Sequence, residues 1–198
     1  MLSKTEGMAN KEIRQVTDSR VLAALSHPLR RRLMDILKVD GPSTASVLAE
    51  RTGQAVANVS HHLRVLGACD LIEEAPELAR DRRERWWRLV SPGLRWSTRD
   101  FADDPAALAV AAAAESLNLD YHMNTVRAWY AAPETDRDAW EGGPFSTDKW
   151  LRLTPGELAE LAQEVIALLD RWATREAPDD GQRREPVFVF AHGVPAQP

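Results

Sequence analysis

Asn58, Ser60, His61 and Arg64 stand close together in the chain, and each has a side chain able to read or hold nucleic acid. An amide such as that of Asn58 can pair with two groups on adenine, and a guanidinium such as that of Arg64 with two on guanine. Ser60 and His61 can bond base edges or phosphate oxygens. Such groups act together only if one rigid element presents them on one side. Val56, Val59, Leu63 and Leu66 are spaced i, i+3, i+7, i+10, which predicts a helix with a single apolar stripe. Asn58, Ser60, His61, Arg64 and Gly67 fall off that stripe and are expected to face outward. The plainer alternative is a helical hairpin with a solvated polar face.

The residues upstream supply a partner for this helix. Val47 and Leu48 belong to a short helix that the Thr44 hydroxyl can cap, and Gly53 provides the permissive backbone of a sharp turn after Arg51-Thr52. Two short helices joined by a tight turn, the second polar on its free side, form a helix-turn-helix pattern. Before it, Val21, Leu22 and Leu25 predict a helix ending ahead of His27-Pro28. Leu29, Leu33, Ile36 and Leu37 predict another that begins at Pro28. Arg30, Arg31 and Arg32 in its first turns are read either as a solvated face or as phosphate contacts. Residues 1–17 read as a polar arm or a frayed helix.

Downstream, Asp70–Glu74 and Arg83–Val90 predict two short strands, with Trp87 and Leu89 on one side and Trp86 and Arg88 on the other. A hairpin directly after a helix-turn-helix is a wing. Its basic end, with Arg82, Arg83 and Arg85, is expected to lie over a neighbouring groove or backbone; a solvated hairpin tip is the alternative.

At 198 residues the chain can form one large or two small domains, and 44% hydrophobic with 28% charged residues describes a soluble globular protein. Cys69 is the only cysteine, so no internal disulfide is available. The N-terminus lacks the apolar core of a signal peptide and no apolar run reaches the ~18 residues of a membrane span, so a cytoplasmic location is expected. The net charge of −5 conceals an asymmetry. Residues 1–100 hold 17 Lys/Arg against 13 Asp/Glu, a balance of +4, and residues 101–198 hold 8 against 17, a balance of −9. Only the first half is suited by charge to meet phosphate.

The segments LAALSHPLRRRLMDIL, SVLAERTG, VSHHLRVLGACDLIEE and RWWRL together resemble the ArsR-type winged helix-turn-helix regulators, in particular a branch with a long C-terminal extension. The resemblance covers about residues 18–91. It implies a mainly α fold with a two-stranded wing and flanking dimerisation helices, and binding of operator DNA as a homodimer, as a repressor. It places Val56, Ala57, Asn58, Ser60, His61 and Arg64 on the recognition helix, and has His62 packing towards the hairpin. Gln54 and Ala55 depart from the pattern, since relatives usually carry leucine and a capping serine there. The missing cap oxygen would cost about 1 kcal/mol unless Gln54 or Thr52 replaces it.

The expected organisation is an arm over 1–17, a winged helix-turn-helix domain over 18–100 and a helical accessory region over 101–198 with one or two short strands. Ala102–Ala132 predicts a long helix that is apolar nearly all round, which implies cover on more than one side. A dimer seam there, helped by Val16–Leu25, would supply it. Thr154-Pro155-Gly156-Glu157 is a helix start, and Leu158, Leu161, Val165, Leu168, Leu169 and Trp172 give the helix an apolar face. Lys149–Leu153 and Val187–Phe190 are expected to pair as strands.

Other chemistry is poorly supplied. Many relatives sense metals, but no cysteine lies at Ser46–Ala49, and Asp120-x-His122 lacks the second histidine that such a site needs, with Pro133 and Glu134 in its place. Ser60, His61 and His62 diverge around a helix and form no nucleophile set, and no phosphate loop or carboxylate pair appears. No catalytic residue, metal or cofactor is therefore expected, and the chain does not read as an enzyme. Trp129, Tyr130, Trp140, Trp150 and Trp172 could line a pocket for a small apolar effector; core packing is the alternative. A winged helix used for protein contacts is the rival to DNA binding.

Overall fold

The computed structural model describes residues 13–81 and 84–197. The chain forms two compact units, one running through Tyr121 and the other starting at His122.

The first unit begins with a short strand, β1 (Arg14–Gln15), and two helices, α1 (Ser19–Leu25) and α2 (Pro28–Asp40). Asp18 caps α1 by accepting from the Arg20 N–H, and the His27 ring nitrogen caps α2 by accepting from the Leu29 N–H. Gly41 ends α2 at φ +81. A two-residue strand, β2 (Ser43–Thr44), leads into α3 (Ala45–Thr52), where the Thr44 hydroxyl accepts from the Val47 N–H as expected. Gly53, at φ +67, ends α3 in the left-handed region that glycine enters without a Cβ clash. α4 (Val56–Ala68) follows.

β3 (Ile72–Glu74) and β4 (Trp86–Leu89) form the expected antiparallel hairpin, with Ile72 opposite Leu89 and Glu74 opposite Trp87. The predicted sidedness holds: Trp87 and Leu89 are buried, Trp86 and Arg88 half-buried. The sheet has a third strand, because β2 pairs with β4 on its other edge, Ser43 opposite Trp87. A ladder of two residues leaves no alternation for sequence reading to find. The same is true of β1, which pairs in parallel with β5 (Leu94–Arg95) where the polar composition implies an arm or frayed helix. Val16, immediately after β1, is buried in the core.

That core gathers Leu22, Leu33, Leu37, Leu48, Val59, Leu63, Leu66, Leu71 and Ile72. Two residues of α4 depart from the expected burial. Val56 is 47% exposed because it opens α4 beyond the edge of the core. Gly67, expected outward with the polar residues, lies beneath Trp87.

α5 (Pro105–Tyr130) starts after a 3-10 turn over Thr98–Phe101, which Ser97 and Asp100 close with a reciprocal cap. Ala111 and Ala114 are buried in the first unit, which explains why that unit extends to Tyr121 rather than ending at residue 100. Leu108, Leu117 and Leu119 remain exposed. Val16, Val21 and Leu22 are already buried within their own chain, so Val16–Leu25 has little apolar surface left for a dimer seam.

The second unit contains the end of α5, a short helix α6 (Glu134–Asp138) and α7 (Pro155–Thr174). The start of α7 is as expected: Thr154 and Glu157 cap each other's backbone N–H, with Pro155 in the first turn. Residues 149–153 and 187–190 do not pair as strands. Instead the His122 ring packs against Phe188 and Phe190, at 5.3 and 5.1 Å between ring centroids. None of the described residues after Tyr121 is buried. No helix among the described residues is long and apolar enough to cross a membrane.

The buried stripe of α4 gives a direct stability contrast. Leu63→Ala is expected to destabilise by about 2–5 kcal/mol, whereas Val56→Ala should stay within about 0.5 kcal/mol. Chemical denaturation of the two variants reads the difference.

Candidate nucleic-acid interface

Val59, Leu63 and Leu66 are fully buried, which anchors α4 by one face and turns the opposite face to solvent. On that free face Val56, Ala57, Asn58, His61 and Arg64 are exposed and Ser60 is half-buried. The structure therefore brings together the six residues expected on the recognition helix. Two of them hold local hydrogen bonds. The Asn58 amide donates to Gln54 Oε1 at 3.0 Å, and Arg64 Nε donates to the Ser60 carbonyl at 3.2 Å. Both bonds are exposed, and such bonds exchange for a ligand's at small net cost.

Neither expected substitute caps α4. Ala55 offers no side-chain oxygen, Gln54 is engaged with Asn58, and the Thr52 hydroxyl donates back to the Leu48 carbonyl at 2.7 Å. The first-turn N–H groups of α4 consequently have no side-chain acceptor at the cap position and point to solvent at the same end as Asn58.

An open cleft of about 500 Å³ runs between α4, the start of α3 and the hairpin, lined by Thr44, Ser46, Val56, Ser60, Arg64, Glu84, Arg85 and Trp87. Thr44 and Ser46 were not expected here. Their only sequence signal is their place at the start of the first helix of the motif. Glu84 brings a carboxylate to the cleft, held below the usual carboxylate range by the Arg80 N–H, which donates to it at 2.9 Å, and by Trp86. Arg85 lies in an exposed ion pair with Glu74 at 3.3 Å; a pair of this kind is worth about 0–1 kcal/mol and yields readily to a phosphate. Arg82 and Arg83, the other two wing candidates, lie outside the described residues.

The three arginines of α2 do structural work. Arg30 donates to the Ala24 carbonyl at the end of α1, and Arg32 to the Arg51 carbonyl at the end of α3, at 3.2 Å. Arg31 stacks over the Tyr121 ring at 4.7 Å and bonds Asn118, both on α5. His62 is buried with its ring 4.4 Å from that of His27, so it packs on the start of α2 instead of towards the hairpin.

The five aromatic residues considered for an effector pocket differ in exposure. Tyr130, Trp150 and Trp172 are 64%, 67% and 60% exposed, and Trp172 is stacked by its neighbour Arg175 at 4.1 Å. Trp129 and Trp140 are half-buried. No group of three or more His, Cys, Asp or Glu residues suited to a metal occurs among the described residues.

Comparison with known proteins points to the same part of the chain. Residues 25–75 match a family model described as a helix-turn-helix domain. Over 54 residues the chain is 37% identical to the transcriptional repressor SdpR of Bacillus subtilis, taking in 27% of this chain and 59% of that protein. The chain thus spans less than two thirds of the length of this curated relative. A homodimeric winged helix-turn-helix DNA-binding domain of Mycobacterium bovis, a possible ArsR-family regulator, is 24% identical over 48% of this chain and 78% of its own, with a TM-score of 0.33. A crystal structure from Mycobacterium tuberculosis covers 83% of this chain and 88% of its own at 18% identity and a TM-score of 0.32. Residues 25–75 run from the end of α1 to just past β3, and so contain all six outward residues of α4.

Two outcomes follow from the local chemistry. Ala55→Ser should supply the absent cap and stabilise the protein by about 0.5–2 kcal/mol in denaturant titrations. Burial, reinforced by His27, Arg30 and His61, holds the His62 imidazole below its ordinary value of 6.5. A histidine of this kind contributes stability that is full above its unfolded pKa and is lost as pH falls towards its folded value. The protein should lose stability on acidification below about pH 6.5, and His62→Gln should flatten that dependence in melts taken across the range.

Proposed function

We propose that this chain, which carries a winged helix-turn-helix domain of the ArsR type, is a transcriptional regulator that reads double-stranded DNA with the free face of α4 and represses by occupying its operator. The observation that carries this reading is the division of α4. Val59, Leu63 and Leu66 are wholly buried, while Asn58, His61 and Arg64 stand exposed on the other face, beside a cleft that Arg85 enters from the hairpin. In this reading Asn58, His61 and Arg64 contact base edges, Ser60 a base or phosphate, and Val56 and Ala57 the groove wall. The wing residues Arg82, Arg83 and Arg85 hold the backbone. Residues 18–100 make up the DNA-binding part of the first unit, and 101–198, which include the α5 segment packed into that unit, serve dimerisation and accessory roles.

The regulator acts as a homodimer. Leu108, Leu117 and Leu119 leave apolar surface on α5 that a second copy would cover. A two-fold dimer requires an inverted-repeat operator with half-site centres about 10 bp, or a multiple, apart.

The test is a salt-titrated binding assay on genomic fragments, with sedimentation counting protomers per site. Arg64→Ala should cost about 1–3 kcal/mol on the selected site and spare nonspecific DNA. Arg85→Ala should weaken both alike and reduce the salt slope by roughly one. Absence of sequence-selective binding at low salt would sink this reading in favour of a protein-contact role for the winged helix. Selective binding indifferent to Arg64→Ala would move the reading face elsewhere.

A further inference from the structure

We infer that Arg14, on the N-terminal strand, is a positioning residue that sets the angle at which α4 presents its outward face. The guanidinium Nη1 donates to the Cys69 carbonyl at 3.1 Å and to the Asp70 carbonyl at 2.5 Å. These are the carbonyls at the exit of α4, where unpaired helix oxygens concentrate negative charge, so a guanidinium there makes charge-assisted bonds. Asp70 has φ +52, the only positive φ outside glycine among the described residues. A non-glycine residue in that region persists where its surroundings hold it, and Arg14 is one of the groups that do so.

Arg14 is itself fixed. Its N–H donates to the Gly93 carbonyl at 3.0 Å and to the Ser91 hydroxyl at 3.2 Å, and the Val16 N–H donates to the Arg95 carbonyl at 2.8 Å. Gln15 donates to Asp100 at 2.7 Å, within the capped turn that leads to α5. Residues 14–16 therefore strap the exit of α4 to the chain segment that follows the wing.

The opposite end of α4 has no side-chain cap, which makes the exit the better-held end. Asn58 lies eleven residues from Cys69, about 16 Å along a helix, so a tilt of about 5° at the exit displaces Asn58 by more than about 1 Å. Bidentate base contacts fail at that displacement, because hydrogen-bond distances span only about 0.5 Å. Phosphate contacts by long side chains tolerate it. Loss of the strap should therefore weaken selective binding and leave nonspecific binding intact.

The inference rests on α4 being the base-reading helix, and the test separates the two. Arg14→Met keeps the aliphatic stem and removes the donors; Arg14→Lys restores a donor of the same charge. In the full chain, Arg14→Met should bind the selected site about tenfold more weakly, nonspecific DNA within about twofold, with the salt dependence unchanged. Amide exchange should accelerate at residues 66–72 and not in α2, and Arg14→Lys should recover most of both losses. Equal weakening on both DNAs with a shallower salt slope would make Arg14 a phosphate ligand and overturn the inference. So would exchange accelerated throughout the first unit, or binding and exchange indifferent to Arg14→Met. A wild type with no selective binding would instead overturn the DNA reading, while exchange at 66–72 still decides whether Arg14 holds the helix exit.

Discussion

The packing of Trp87 on Gly67 is the contact around which the winged helix is arranged. A Cβ on Gly67 would stand 3.3 Å from the Trp87 ring, so a larger residue would require the indole to shift by a few tenths of an ångström. With glycine there, β4 closes onto the exit half of the helix and buries Trp87 and Leu89. β4 is also the central strand of its sheet, flanked by β2 and β3. One edge thereby holds Thr44, the cap of α3, and the other holds the chain leaving α4. A single aromatic contact ties the start of the helix-turn-helix, its second helix and the wing into one body.

Part of the positive charge of this domain is engaged within the domain itself. Arg30 and Arg32 bond helix-end carbonyls, Arg31 stacks on Tyr121, and Arg88 pairs with Glu73 and Glu77. The balance of +4 over residues 1–100 therefore overstates the cationic groups offered to a ligand. Among the described residues, the cations at the cleft are Arg64 and Arg85, with the Glu84 carboxylate beside them and Glu74 paired to Arg85. An interface built in this way depends on placement more than on total charge, because a few contacts in fixed register discriminate between sequences while a diffuse field does not.

The two units differ in how far they satisfy themselves. The first buries nine large side chains almost completely, and the starts of α1, α2 and α3 are capped by Asp18, His27 and Thr44. The second has well-formed local structure, with a capping box at Thr154 and Glu157, yet none of its described residues is buried. Its apolar residues, Trp150, Leu151, Trp172 and Val187 among them, remain in water. Local hydrogen bonding can specify a helix, but only tertiary contact removes an apolar face from solvent. The cost of that exposure is one reason to look to partners, including a second copy, for cover.

The legible parts of this protein are those whose signal is periodic or local. The stripe of Val59, Leu63 and Leu66, the caps at Thr44 and Thr154, the glycine stop at Gly53 and the alternation of Trp86 to Leu89 each follow from spacing within a few residues. The order of amino acids is enough to determine them, and with them the face that carries Asn58, His61 and Arg64. Tertiary structure alone decided what depends on distant partners. The two-residue ladders of β1, β2 and β5 are too short to alternate. The fate of Arg30, Arg31 and Arg32 rests on helix ends and an aromatic ring that the local sequence does not contain. The contact of Gly67 with Trp87 and the exposure of Val56 escape the pattern because a stripe gives the direction of a face but not where the neighbouring elements stop. Val187–Phe190 has the composition of a strand, but a strand exists only when another offers its edge; here its phenylalanines meet the His122 ring instead.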